Sequence, residues 1–255
     1  MMYQINANKR DFLKHQIIDG AEKYKKNLIG KVFYIICEDG MGYYVRFFKD
    51  DFIHLVGVCS DLSDKRFFDN SADGCLDKDN IKEFQKYNWA TLKSKANGIV
   101  NIDKIIYGKS ENSLFMVNLK TNTYTYPVAI RNKDINLCIG FKDHVNKART
   151  LRKYNNSSDA SEQKMIIAIF STTSENKQCN EMVYLSDYDR LMKMDESIIK
   201  KINNELLSII KPVGMDRKKR APYIYRTLER KLPICFQKNV YSEKLKRIKL
   251  KNRMR

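Results

Sequence analysis

His54 is the first residue of this chain whose type and position suggest chemistry. It lies in FKDDFIHLVGV, residues 48–58, and is one of only three histidines. A neutral imidazole titrates near about pH 6.5, so it can accept a proton from a hydroxyl or return one to a leaving group. A lone histidine on an apolar helix face can equally be a packing residue that satisfies a backbone carbonyl. The residues alone leave both interpretations open.

The other two histidines have weaker claims. His15 falls off the apolar face of a predicted helix, which indicates a solvent-facing residue. His144 lies in the polar turn FKDHVNKAR, where it is either a second proton carrier or an exposed loop residue.

Several common catalytic signatures do not occur in the sequence. It contains no Walker lysine loop, GxGxxG, HExxH or GxSxG, which argues against the usual nucleotide, zinc-protease and acyl-transfer classes. The six cysteines form no CxxC pair and no zinc-ligand spacing, so we expect reduced thiols, no metal site and no cofactor.

Positive charge is concentrated at the carboxyl end. The chain has 48 Lys and Arg against 30 acids, and residues 216–255 hold 15 of these cations with only three acids. A polyanion is the natural partner of such a segment. We therefore expect Arg217, Lys218, Lys219 and Arg220 to bind nucleic acid electrostatically, although a solvated basic extension would show the same composition.

The hydrophobic pattern predicts helices first and strands later. Residues 8–28 have helical spacing, the glycines of EDGMG favour a hairpin, and residues 52–58 favour a short helix capped by the preceding Asp pair. One or two helices are predicted over 61–96, and strands from 99 to 141 that begin with IVNIDKIIYG.

Two further strands and a late helix complete the predicted fold. The strands are MIIAIF and MVYLS, and the helix covers about 195–210 and ends before Pro212. The fold class is α+β, with N-terminal helices, an antiparallel sheet of about four to six strands and a basic helical C-terminal extension. We divide it into a domain at 1–195 and a helix plus basic extension at 196–255. No signal peptide or membrane span is predicted, so we expect a cytoplasmic protein without a membrane partner.

One stretch resembles a known nuclease group. KVFYIICEDGMGYYVRFFKDDFIHLVGV, residues 31–58, is similar to the opening of the barnase–EndoU–colicin–RelE (BECR) nucleases, and most similar to the fourth group found in polyvalent phage proteins. RFFDNSADGCLDKDNI resembles the helix-turn-helix insertion of that group, and KARTLRK, MIIAIF and MVYLS resemble its closing strands. The resemblance covers about residues 10–190 and excludes the basic tail.

The resemblance implies a compact α+β nuclease with a four-stranded antiparallel core, which cuts RNA without a metal and leaves a cyclic phosphate. His54 matches the histidine of the F-x-H-L motif and takes the acid/base role. Arg149 is then the phosphate clamp and Thr150 a hydroxyl donor, although Ala148 stands where a proline is expected. Ser171 is a further candidate, with a turn serine as its alternative.

Three functions follow in order of preference. The first is a metal-independent endoribonuclease, such as a toxin or phage effector, for which an acidic antitoxin or inhibitor would be a fitting partner. The second is a non-catalytic nucleic-acid-binding accessory protein that uses the same charge. The third is a metal-dependent DNA nuclease built on Asp216 and Glu229, but helical spacing around Glu229 would not bring the two carboxylates together.

Overall fold

The computed structural model describes residues 6–82, 87–108, 113–122, 124–142, 146–154, 160–174 and 177–210. Its helices are α1 (Ala7–Asn27), α2 (Phe52–Val56), α3 (Asp64–Ala72), α4 (Trp89–Ile99), α5 (Lys104–Tyr107), α6 (Tyr188–Leu191), α7 (Glu196–Ile199) and α8 (Asn204–Ile210). Its strands are β1 (Val32–Cys37), β2 (Gly42–Arg46), β3 (Ser113–Lys120), β4 (Thr125–Asn132), β5 (Leu137–Lys142), β6 (Lys147–Lys153), β7 (Glu162–Thr172) and β8 (Glu181–Leu185).

The strands form one sheet in the order β1-β2-β6-β5-β4-β3-β7-β8. Strand β1 also pairs with β7, which closes seven strands into a barrel and leaves β8 attached to β7. All pairings are antiparallel except that of β2 with β6, which is parallel and joins Arg46 to Lys147. The predicted α+β class is confirmed, but the predicted number of four to six strands was too low. The sheet in the described residues has eight strands, and β7 pairs with three of them.

Helices α1 to α5 pack with one face of the sheet to form the main core. Helix α1 begins at Asn6, whose side chain accepts a hydrogen bond from the Lys9 amide at 3.0 Å. Gly20 lets α1 approach α4 closely, since a Cβ there would lie 2.8 Å from Ile99 Cγ2. The first helix of the chain thereby fixes the position of α4.

The opposite face of the sheet is covered in two parts. Helices α6 to α8 pack on β1, β7 and β8 around Tyr34, Phe170 and Met182. A separate cluster on β3 to β6 contains Met116, Tyr126, Ala129, Cys138 and Tyr154. The alternation of strand side chains separates these clusters from the main core.

Several local predictions need correction. The segment IVNIDKIIYG is not a strand but the end of α4, a turn and α5, because Ile102, Ile105 and Ile106 are spaced to bury together on one side. The helix predicted over 195–210 is two short helices, because the backbone of Lys201 and Asn203 bonds to Cys179 instead of continuing a helix. Asp51 makes no side-chain cap for α2, and Gly57 ends that helix with φ +81°.

None of the helices in the described residues combines the length and the apolarity that a membrane crossing requires.

Phe52 anchors α2 in an aromatic group of the main core. Its ring centroid lies 5.2 Å from that of Tyr24 and 5.3 Å from that of Phe68, both at steep angles. We expect Phe52→Ala to lower the free energy of unfolding by about 3–5 kcal/mol in urea denaturation, because the cavity cannot collapse in a well-packed core. Met41→Ala, at a turn residue that is 53% exposed, should change it by less than about 0.5 kcal/mol. Equal effects of the two substitutions would contradict this packing.

Candidate active site

His54 lies on α2, between residues that hold the helix in the core. Phe52, Ile53, Leu55 and Val56 are all buried, whereas the His54 side chain keeps 36% of its surface exposed. Gly57 ends the helix in a left-handed conformation, and a Cβ there would lie 2.6 Å from Lys95 Cδ. A rigid, short helix therefore presents one half-exposed imidazole.

Arg149 lies on β6 at a β-bulge. Ala148 pairs with Phe141 and Thr150 pairs with Gly140, so Arg149 is the extra residue without a pairing partner on β5. The bulge explains why Ala148 and Leu151, three positions apart, both enter the main core. Bulges re-aim side chains and are common beside active sites. Because of the bulge, the Arg149 side chain does not have to follow the regular alternation of strand side chains between the two faces of the sheet.

Arg149 and His54 interact electrostatically. Burial lowers the pKa of His54 below its ordinary value, and the Arg149 guanidinium lowers it further because a second positive charge is unfavourable there. Lys95 acts in the same direction, whereas Asp64 and Asp50 oppose it. Burial and the two cations outweigh the two carboxylates, so the imidazole is neutral at neutral pH.

Asp64 is placed to stabilise the protonated form of His54. Its Oδ2 atom lies 3.8 Å from His54 Nε2, beyond direct hydrogen-bond distance, and the carboxylate is partly exposed on α3. A carboxylate at this distance supports a transient imidazolium without making the proton permanent. His54 can therefore accept a proton and afterwards release it.

Thr150 points to the other face of β6 and contacts Tyr126. The Thr150 hydroxyl hydrogen bonds to Tyr126, whose pKa is raised by burial, while Thr150, Arg152 and Arg149 act to lower it. A Cβ on Gly140 would lie 2.7 Å from Tyr126 Cγ and 2.9 Å from Thr150 Cγ2. The absence of a side chain at Gly140 is what allows Tyr126 and Thr150 to meet.

Lys95 was not predicted from the sequence. It is only 5% exposed, and its Nζ donates to the Leu151 carbonyl at 2.8 Å and lies 5.3 Å from the Tyr87 ring centroid. Burial lowers the pKa of Lys95 to about 8, with Arg152 contributing in the same direction. Its hydrogen bond holds β6 two residues beyond Arg149, so we regard Lys95 as a positioning residue.

Asp51 is a second buried ionisable group near this site. It is 5% exposed, and its pKa is raised to about 6 by burial and by Asp50, against the effect of Lys147 and Arg149. Its Oδ2 atom has no hydrogen-bond partner among the described residues. The Asp51 carboxylate and the Arg149 guanidinium therefore interact electrostatically.

Ser171 lies on β7, outside this group of residues. It is 1% exposed, and its hydroxyl donates a short hydrogen bond to Glu181, which also pairs with Lys31 at 2.8 Å. This network joins β7, β8 and the residue before β1. Its contacts are those of a residue that ties strands together.

The remaining predicted residues divide into two groups. His15 is exposed on α1, where its Nδ1 lies 2.7 Å from the Asp11 carbonyl oxygen of the same helix. His144 and the predicted docking residues Arg217, Lys218, Lys219 and Arg220 lie outside the described residues, as do Asp216 and Glu229. Among the described residues, no three His, Cys, Asp or Glu side chains converge as metal ligands would.

The comparison with protein families shows to which family this chain belongs. A family model described as phage-Barnase-EndoU-ColicinE5/D-RelE like nuclease 4 matches residues 16–187, about two thirds of the chain. The chain belongs to this nuclease family. The match includes β1, β2, α2 and the closing strands β6 to β8, which confirms the resemblance identified from the sequence. Comparison with curated proteins and with solved structures finds no match.

The pKa of His54 reports directly on its neighbours. By NMR titration of the imidazole signals, we expect a wild-type pKa below about 6.5, a higher value in Arg149→Gln because a cation is removed, and a lower value in Asp64→Asn because a carboxylate is removed. Lys26→Gln, an exposed charge change on α1, should leave it unchanged. An Arg149→Gln variant with the wild-type value would show that the two side chains do not interact.

Proposed function

We propose that this nuclease is a metal-independent endoribonuclease that uses the RNA 2′-hydroxyl as its nucleophile. The observation that carries the proposal is the packing of α2 against β6, which brings His54 within the electrostatic influence of Arg149. A half-exposed imidazole that is neutral at neutral pH is a general base, and a neighbouring guanidinium is a phosphate clamp. These are the two groups that intramolecular attack of a 2′-oxygen on its own phosphate needs.

In this mechanism His54 accepts the proton of the 2′-hydroxyl. The 2′-oxygen then forms a bond to phosphorus, the bond from phosphorus to the 5′-oxygen breaks, and the 5′-oxygen takes a proton from water. Arg149 holds the nonbridging oxygens as negative charge develops on them. The products are a 2′,3′-cyclic phosphate and a 5′-hydroxyl end.

Asp64, Lys95 and Asp51 act through these groups. Asp64 stabilises the imidazolium formed after proton transfer. Lys95 holds β6 and disfavours a permanent charge on His54. Arg217, Lys218, Lys219 and Arg220 remain predicted docking residues for the RNA backbone. An acidic antitoxin or inhibitor, and a role as a toxin or phage effector in the cytoplasm, would suit a basic ribonuclease of this family.

Cleavage of labelled RNA in EDTA tests the proposal. We expect the wild-type protein to cut RNA and leave cyclic phosphate ends, and His54→Ala to be slower by about 100-fold or more, the usual contribution of a general base. His15→Ala is the matched control and should retain wild-type activity, because His15 is exposed on its own helix.

Three results would contradict this function. The first is wild-type activity in His54→Ala, the second is cleavage that disappears in EDTA and returns with Mg²⁺, and the third is binding of RNA without any cleavage. The last result would instead favour the non-catalytic binding protein.

The pH dependence of cleavage gives a separate test. Protonated His54 cannot accept a proton, so the rate should rise with pH through a pKa below about 6.5. It should fall again above about 8, the pKa of Lys95, because a neutral amine donates a weaker hydrogen bond to the Leu151 carbonyl that holds β6. In Lys95→Arg the alkaline fall should move to higher pH, because a guanidinium stays charged.

Two variants distinguish the ionising groups in the pH profile. Asp51→Asn removes a carboxyl group whose pKa is raised to about 6, and the acid limb should persist in that variant. An acid limb that disappears with Asp51 would assign the limb to the carboxylate instead of His54. An unchanged alkaline limb in Lys95→Arg would argue against the role given to Lys95.

A further inference from the structure

Four consecutive strands of this nuclease contain no acidic residue. The whole chain has 30 acids in 255 residues, but β3, β4, β5 and β6 have none. The same strands carry seven cations, which are Lys120, Arg131, Lys142, Lys147, Arg149, Arg152 and Lys153. A sheet region of one charge sign attracts a polyanion and gives no repulsion along its length.

Arginines and tyrosines alternate on the side of these strands away from the main core. Cys138 pairs with Arg131 on β4 and with Arg152 on β6, so both arginines flank it on one face. Arg131 Cζ lies 3.5 Å from the Tyr154 ring centroid. We call this surface the Tyr/Arg face and define it by Tyr124, Tyr126, Arg131, Lys142, Arg152 and Tyr154.

The Tyr/Arg face extends to an exposed aromatic residue at the start of β4. Tyr124 is 40% exposed, its ring lies 4.9 Å from that of Tyr126, and Lys142 Nζ lies 5.2 Å from its centroid. Tyr126 in turn hydrogen bonds with Thr150 and interacts with Arg149 and Arg152. Tyr126 therefore lies between the exposed end of the Tyr/Arg face and Thr150, the neighbour of Arg149 in the chain.

We propose that the Tyr/Arg face binds a single-stranded segment of RNA and guides it to His54. The proposal rests on the proposed function and deepens it, because it names the form of the substrate and the surface that holds it. Arg131, Lys142 and Arg152 contact successive phosphates. Tyr124, with its ring accessible, stacks on an unpaired base.

The interleaving of rings and cations favours single-stranded RNA over the other polyanions that the charge would fit. An acidic protein needs the cations but gives the exposed ring of Tyr124 no planar partner. A duplex keeps its bases stacked inside and offers mainly its backbone. A single strand provides both phosphates and free base faces, and the site beyond Tyr126 then acts on a backbone that is already extended.

Fluorescence anisotropy with the full chain tests this surface. The probe is a labelled, unstructured RNA of about 12 nucleotides, within the usual range for single-strand sites, with 2′-O-methyl groups so that it is not cut. We expect Tyr124→Ala to weaken binding by about fivefold or more, as the loss of one stacked base does. Arg131→Gln with Arg152→Gln should lower the slope of log affinity against log salt by about 0.7 for each lost cation.

The control is Lys26→Gln with Lys193→Gln, which removes two exposed charges elsewhere and should stay within about twofold of wild type, since such cations add only general attraction. Thermal unfolding identifies any variant that fails to fold. If the double arginine variant is unfolded, Tyr124→Ala decides alone, because Tyr124 is a surface residue.

The outcomes separate the two proposals. If the wild type binds RNA but the Tyr/Arg face variants bind as tightly as the wild type, the docking surface is wrong and the nuclease site stands. If the wild type binds no RNA, the proposed ribonuclease function fails as well. Equal affinity of the wild type for a matched RNA duplex overturns the single-stranded assignment. So does a Tyr/Arg face variant that loses binding of polyglutamate, which stands in for an acidic protein, but keeps its binding of RNA.

Discussion

The electrostatic interaction of one guanidinium with a half-buried imidazole is the constraint on which the rest of this site depends. An isolated histidine on a core helix would titrate as a surface residue or remain a packing residue. Burial and the Arg149 charge together lower the pKa of His54, whereas the Asp64 carboxylate, 3.8 Å from the ring, raises it and so offsets part of that effect. The result is a histidine that is neutral at rest and still able to carry a proton briefly.

The fold maintains this arrangement from both sides. On the helix side, Phe52 and its aromatic neighbours fix α2, and Gly57 ends it where Lys95 passes beneath. On the strand side, the bulge at Arg149 breaks the alternation of β6, and Lys95 holds the strand through the Leu151 carbonyl. A buried lysine is costly unless its charge is used. Here the charged end bonds to β6, and the aliphatic stem packs where α2 ends.

The sequence allowed part of the fold and site to be predicted, and the reasons for each limit are physical. The hairpin, α2 and the strands β7 and β8 follow from glycine positions and β-branched runs, which act locally. The closure of β1 on β7 is a long-range pairing that leaves no local pattern. His54 and Arg149 came from a motif and a resemblance, whereas Lys95, Tyr87 and Tyr126 look like ordinary helix and strand residues. Only their convergence in space gives them a role.

A double-mutant cycle on RNA cleavage tests the central claim most directly. The measurement is kcat/KM for the wild type, His54→Ala, Arg149→Gln and the double variant, each confirmed as folded by its thermal transition. If His54 and Arg149 act on the same phosphate as one unit, the double variant should be little slower than His54→Ala alone. Two independent losses that multiply in the double variant would contradict this account.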